Sequence, residues 1–238
     1  VQTRSALLDL AFVRGYAPQD RATIAHHCDV AAILMNGGYR PCGRPFVSHL
    51  IGTAGVLVRY GFRVEVVLAG LLHAAYTHCP ELPPGQKSSI ETVRDVLGGA
   101  GAPLERRVRA YSRRGEELDS LASRLDRIDE MSVDDAEIVA LVAANEVDMM
   151  LGGEYRYTMR DEAMGADALV LVRGVCTALG VPGLAATLEA GVAAPSAPPE
   201  LRTRTLGSYR IVGLDRKPMV SRAFAEFDRS AREPKPTD

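Results

Sequence analysis

Between residues 66 and 76 the chain reads VVLAGLLHAAY, an apolar run with helix-forming residues throughout and one ionisable side chain, His73. A helix that is apolar on every side belongs at the centre of a domain. An imidazole placed there needs a hydrogen-bond partner or a chemical task. The preceding segment, FVSHLIGTAGVLVRYGF, reads as a second buried helix carrying His49, with a turn at residues 61–63 between the two. Two histidines are therefore expected to meet across one helix pair.

Little in the rest of the composition competes with a helical reading. The 238 residues suffice for one full core with length left over, and 47% are hydrophobic with no Trp. A formal net charge of −2 gives no electrostatic case for nucleic acid or an anionic membrane. No run approaches the roughly 18–20 apolar residues that span a bilayer. The opening VQTRSALLDL lacks the basic segment and apolar run of a secretory signal. Cys28, Cys42, Cys79 and Cys176 follow no CxxC spacing, which argues against both a disulfide framework and a zinc knot. The expectation is a cytoplasmic protein with free thiols.

Gly and Pro punctuate the chain into helices. Residues 5–14 form a first helix ending near Gly15, and Pro18 opens a second that runs to about Met35. The second carries His26 and His27, of which one can face inward. The loop YRPCGRPF leads into the His49 helix and places Arg44 at the mouth of any site there. Pro80 and its proline-rich neighbours form a loop close to His73. Ser88 and Glu91 make a capping box for a helix that stops at Gly98 and Gly99. Helices over 103–113 and 116–129 follow, with the arginines at 106, 107, 109, 113 and 114 read as a solvated face. Ser132 caps the helix AEIVALVAANEVDMMLG, whose buried side is marked by Ile138, Leu141 and Val142. Asn145 and Asp148 fall on that same side, three apart, where a carboxylate must be paired or bound to a cation. The EYRY segment at 154–157, including Tyr155, is placed to line a pocket. Helices at 166–180 and 183–192 complete the core. The fold class is all-α, with a helical domain over 1–192 and a linker and C-terminal tail of little regular structure over 193–238. Within the tail, a short strand is expected near residues 208–212 and a short helix near 222–227.

His49, His73 and Asp148 come from three helices. Two neutral imidazoles and a carboxylate make a first shell for a divalent transition metal, with positions left for water or substrate. The stretch CGRPFVSHLIGTAGVLVRYGFRVEVVLAGLLHAAYTH resembles the core of the HD-domain superfamily. It is most similar to the hydrolase domain of RelA/SpoT-type (p)ppGpp hydrolases, and also to an uncharacterised bacterial HD-like group with the phrase AGLLHAAYTH. Residues 43–49 match the family's Gly-x-Pro-Tyr/Phe-x-x-His segment, residues 69–73 its Ala-x-Leu-Leu-His, and residues 145–148 stand at its distant Asp. The resemblance covers roughly residues 20–155. It implies an all-helical bundle that binds a divalent metal (manganese, iron or zinc here) and hydrolyses phosphoesters.

Three departures from the family pattern change what is expected. Ala74 stands where the family has its eponymous Asp, Leu50 where it has Pro, and Thr77 with His78 where the hydrolases carry the Glu-Asp pair that positions water. The resemblance thus implies a hydrolase that has lost one metal ligand and its carboxylate base. Pro80 disfavours helical geometry at Cys79, so the helix ends near Thr77 and His78 is free to turn inward as a replacement. The expected site has metal ligands His49, His73 and Asp148, proton-handling residues His78 and Tyr76, and substrate-binding residues Arg44, Asn145 and Tyr155. Its substrate is a small, phosphorylated or nucleotide-like metabolite. Two alternatives stand beside it. One is a catalytically degenerate HD domain acting as a ligand-binding or interaction module, and the other an HD-fold iron oxygenase. A homodimer built through the tail is a further expectation.

Overall fold

In the computed structural model the described residues are 1–35, 37–78, 89–113, 130–154, 166–194 and 209–210. The side chains of 89–92, 166, 209 and 210 are outside the description, as are Tyr155, the helices expected at 116–129 and 222–227, the capping box at Ser88 and the linker from 195. The protein is all-α, as its punctuation predicts. Helix α1 spans Arg4–Val13, α2 Pro18–Leu34, α3 Phe46–Arg59, α4 Val64–Leu72, α5 Ala75–His78, α6 Ser89–Val96, α7 Pro103–Ser112, α8 Val133–Leu151, α9 Ala166–Ala178 and α10 Pro182–Val192. Among the described residues no helix is long and apolar enough to cross a membrane.

The ends of these helices follow from local chemistry. Thr3 caps α1 by accepting from the Ala6 amide, and Gly15 leaves the helix at φ +81. Pro stands at the start of α2, α7 and α10, where its missing N–H costs nothing. Ser132 caps α8, accepting from Asp135 N at 3.1 Å while Asp134 and Asp135 face the positive end of the helix.

The core is organised by α3 and α8. Every residue from His49 to Val58 on α3 is buried, and so is every residue from Ala136 to Met149 on α8. Helix α8 was expected to bury one side only; it is enclosed on all sides, by α3, α4, α7, α9 and α10. Near its start, Asp134 and Glu137 are each paired with arginines. Arg63, before α4, donates to both oxygens of Glu137 at 2.5 Å, and Arg107 on α7 bonds Asp134 at 2.7 Å. Arg107 is therefore buried between α7 and α8, which corrects its place on a solvated face.

The helix expected to run on past His73 stops at Leu72 and resumes as the short α5. The ring Nδ1 of His73 lies 2.8 Å from Gly70 O, the carbonyl that the amide of residue 74 would take in a continued α-helix. Helices α3 and α4 approach closely at Gly70, where a Cβ would stand 2.7 Å from Leu57 Cδ1 and 3.4 Å from Ala54 Cα.

A two-residue strand β1, Gly38–Tyr39, pairs antiparallel with β2, Tyr209–Arg210, in the register Gly38 to Arg210 and Tyr39 to Tyr209. A strand near 208–212 is thus present, and its partner is the segment that leads into the Arg44 loop.

Leu57 is fully buried in the α3–α4 contact. Leu57→Ala should lower stability by about 2–5 kcal/mol, read as a shift of the urea midpoint with an unchanged slope.

Candidate functional site

The site is built where the loop before α3 meets the end of α8. A tight turn closes residues 40–44: Arg40 N donates to Arg44 O at 2.9 Å, Gly43 N donates to Arg40 O at 2.9 Å, and Gly43 has φ +83. The turn sends the side chains of Arg40 and Arg44 toward the end of α8. Arg40 meets Glu154 through Nη2 at 2.6 Å and Nε at 3.1 Å, and its guanidinium lies 5.3 Å from the Phe46 ring centroid.

Arg44 grips Asp148 with both prongs, Nη1 to Oδ2 and Nη2 to Oδ1, each at 2.9 Å. Its Nη2 also donates to Ser48 O at 2.6 Å. The guanidinium threads between two helices that each leave a gap for it. A Cβ on Gly52 would lie 1.8 Å from Asp148 Oδ1 and 2.6 Å from Arg44 Nη2, and one on Gly152 would lie 2.5 Å from Arg44 Nη1. Glycine at both positions is thus a steric requirement of the ion pair. Arg44 also places positive charge at the C-terminal end of α8, where the helix dipole favours it.

The same carboxylate takes a third contact, from His49. Nδ1 of His49 lies 2.7 Å from Asp148 Oδ2. Asp148 is ionised in a geometry with a guanidinium on both oxygens, so Nδ1 carries the proton and Nε2 the lone pair. Burial raises the Asp148 carboxyl above its usual value, opposed by the hydrogen bonds and charge of Arg44. Burial drives His49 well below its usual value, helped by the charges of Arg40 and Arg44. His49 is thus a neutral acceptor, 1% exposed, and its Nε2 has no hydrogen-bond partner. Asn145 lies near enough to favour protonation of the ring, but its amide donates instead to Glu146 Oε1 at 3.0 Å.

His73 packs edge-on against His49, with ring centroids 5.1 Å apart, and against the buried Tyr111 at 4.8 Å. The two histidines, Asp148 and Asn145 are therefore gathered in one buried cluster, with Arg44 beside them. Tyr76 points elsewhere, and His78 stands at the edge of the cluster. Tyr76 donates to Glu105 Oε1 at 2.6 Å, tying α5 to α7. His78 has Nδ1 2.8 Å from Thr77 Oγ1 and its ring 4.7 Å from Phe46, whose ring is 5.8 Å from that of His49. Phe46 thus packs against both histidines.

These residues do not fit a metal centre that uses Asp148. Both carboxylate oxygens are held by Arg44, and the carboxylate sits on the Nδ1 side of His49, across the ring from the lone pair. Among the described residues no group of three or more His, Cys, Asp or Glu side chains is arranged to hold a metal ion. Arg44 has its terminal nitrogens committed within the protein, which leaves little of it for a phosphate.

Sequence reasoning missed Glu105, Arg40 and Tyr111, and it placed Glu154 in a pocket-lining segment without its partner Arg40. Glu105 is fully buried and accepts from Tyr76, from Gly101 N at 2.9 Å and from Arg109 Nε at 2.8 Å. Nothing in a one-dimensional pattern marks such a residue. Arg40 was the more legible, four residues before Arg44 in the same glycine-containing loop.

Arg44→Ala would strand a buried carboxylate and should cost about 3–5 kcal/mol. Gly52→Ala, which removes no charge, should also destabilise strongly because its methyl drives Arg44 and Asp148 apart. Urea denaturation of both variants checks this. His49 is neutral when folded and binds a proton only when unfolded as pH falls below about 6.5. Its contribution to stability is therefore present above that pH and lost below it, by at most about 1.4 kcal/mol per pH unit. Denaturation at several pH values between 5 and 7.5 should show a steeper slope than in His49→Phe, where the part due to His27 remains.

No family model matches the chain, and no curated protein matches it significantly.

Proposed function

We propose that this protein is a catalytically degenerate HD-like helical domain that serves as a ligand-binding or interaction module. One observation carries the reading: the carboxylate expected to bind metal is held by both prongs of Arg44 and by His49 Nδ1. A buried carboxylate so compensated gains nothing from a second cation, and to bind one it would have to surrender Arg44. The sequence points the same way, since Ala74, Thr77 and His78 occupy the positions of the family's second ligand and water-positioning acids. On this reading Arg44, Asp148 and His49 lock the loop before α3 onto α8, presenting a fixed surface to a small molecule or partner.

A second reading is favoured by the histidines themselves. His73 directs Nδ1 at a backbone carbonyl and His49 directs Nδ1 at a carboxylate, the orientation that metal-ligating imidazoles adopt. It keeps the domain as a metal-dependent phosphohydrolase in which Asp148 orients His49 and binds no metal.

The two readings separate on untagged protein prepared without chelators, with elemental analysis beside turnover of simple phosphate monoesters and guanosine tetraphosphate in added manganese. The module reading expects no stoichiometric metal and no turnover. Stoichiometric manganese, iron or zinc that is lost in His73→Ala, accompanied by turnover, would overturn it in favour of the second.

A further inference from the structure

The turn at residues 40–44, which carries Arg40 and Arg44 to the end of α8, is held at its root by strand β1. On the inner side Gly38 N donates to Met35 O at 3.0 Å, Arg40 N donates to Arg44 O at 2.9 Å, and Tyr39 bridges antiparallel to Pro45. Gly38 fits closely there, since a Cβ on it would stand 3.2 Å from Met35 O and 3.5 Å from Phe46 Cβ. The amides of Gly38 and Arg40 are thus both committed within the turn.

Successive residues of a strand present their backbone groups to opposite edges. Tyr39 lies between Gly38 and Arg40 and therefore turns its N–H and C=O to the outer edge. That is the edge on which β2 lies, with Tyr209 registered opposite Tyr39. The pairing is centred on this one exchange. A ladder of two residues opens far more readily than α3 and α8, which are buried along most of their length.

Chain connectivity does not impose the position of β2. From Val192 at the end of α10 to Tyr209 the chain can reach roughly 60 Å when extended. A tether of that length leaves β2 free to pair elsewhere, so the outer edge of β1 selects it. Without β2 that edge would present open N–H and C=O groups, a template for any extended segment.

We propose that β2 is a detachable strap, which covers the outer edge of β1 by strand addition and stiffens the turn that delivers Arg40 to Glu154 and Arg44 to Asp148. Removing residues 209–210 from that edge loosens the turn while α3 and α8 stay packed, and it bares a docking edge for another extended peptide. The C-terminal segment is thereby coupled to Arg44. The inference stands apart from the role proposed for the domain.

The test is amide-resolved hydrogen exchange by NMR on the full chain, wild type beside Tyr209→Pro, which lacks the N–H that the exchange with Tyr39 needs. In the wild type, backbone proton contacts should join residues 38–39 to 209–210, and the Tyr39 amide should exchange faster than those of Leu57 and Ala143. In Tyr209→Pro, protection at Tyr39, Arg40 and Gly43 should fall about tenfold or more, with Leu57 and Ala143 unchanged. Unchanged protection at residues 39–43 overturns the proposal, and so does an equal loss at Leu57 and Ala143. A Tyr209→Pro chain that does not fold overturns it too, because a strap is dispensable to the core. The wild type alone also decides: no contact between the two strands, or a Tyr39 amide exchanging no faster than that of Leu57, removes the strap.

Discussion

Asp148 carries a carboxylate into the interior of a helical protein, near the C-terminal end of α8, where the helix dipole opposes negative charge. Burial alone would make that placement untenable. Much of the neighbouring architecture is what resolves it. The turn at residues 40–44 delivers Arg44, the start of α3 delivers His49, and glycines at 52 and 152 open the passage in which guanidinium and carboxylate meet. A loop and two helices are registered against one another by a single anion. Such a pair adds little net stability compared with an apolar substitute, but removing one member strands the other. What it supplies is a unique arrangement of the parts.

The other end of α8 uses the same physics with the signs favourable. Asp134 and Glu137 stand in its first turns, where the dipole helps them, and Arg63 and Arg107 bridge them to the start of α4 and to α7. Arg63 and Asp134 are substantially exposed, so the Arg63–Asp134 bridge is worth little in water. Glu137 and Arg107 are nearly enclosed, and their contact is a stronger constraint on register. Helix α8 is thereby fixed at both ends by ion pairs, and between them by Ala, Val and Leu side chains that allow close approach on every side.

The helices were legible because their boundaries are written locally. Pro18, Pro103 and Pro182 open helices, Ser132 caps one, and Gly15, Gly98 and Gly99 turn the chain out of others. The gathering of His49, His73 and Asp148 was legible too, since each lies in an apolar helical context. What could not be read were properties that depend on the neighbour. At the break after Leu72 a ring nitrogen takes the place beside a backbone carbonyl, a contact that no propensity encodes. Helix α8 looked buried on one side only, the side read to hold Asn145 and Asp148, because Glu137 and Glu146 count as surface residues until their partners are known. Arg107 looked solvated for the same reason. Arg44 was placed correctly at the site, yet its partner is a carboxylate of the protein itself, and that reverses its meaning.

The consequences converge on His49. By accepting from Nδ1, Asp148 decides that the lone pair of this imidazole is on Nε2, deep in the core. By neutralising Asp148, Arg44 removes the negative charge that would otherwise draw a metal ion there. Burial keeps the ring unprotonated, with the charges of Arg40 and Arg44 acting in the same direction. Residue types that would suit a metal centre are thus arranged so that the carboxylate is spent on an arginine and a histidine. The identity of the residues survives that change while the electrostatics do not.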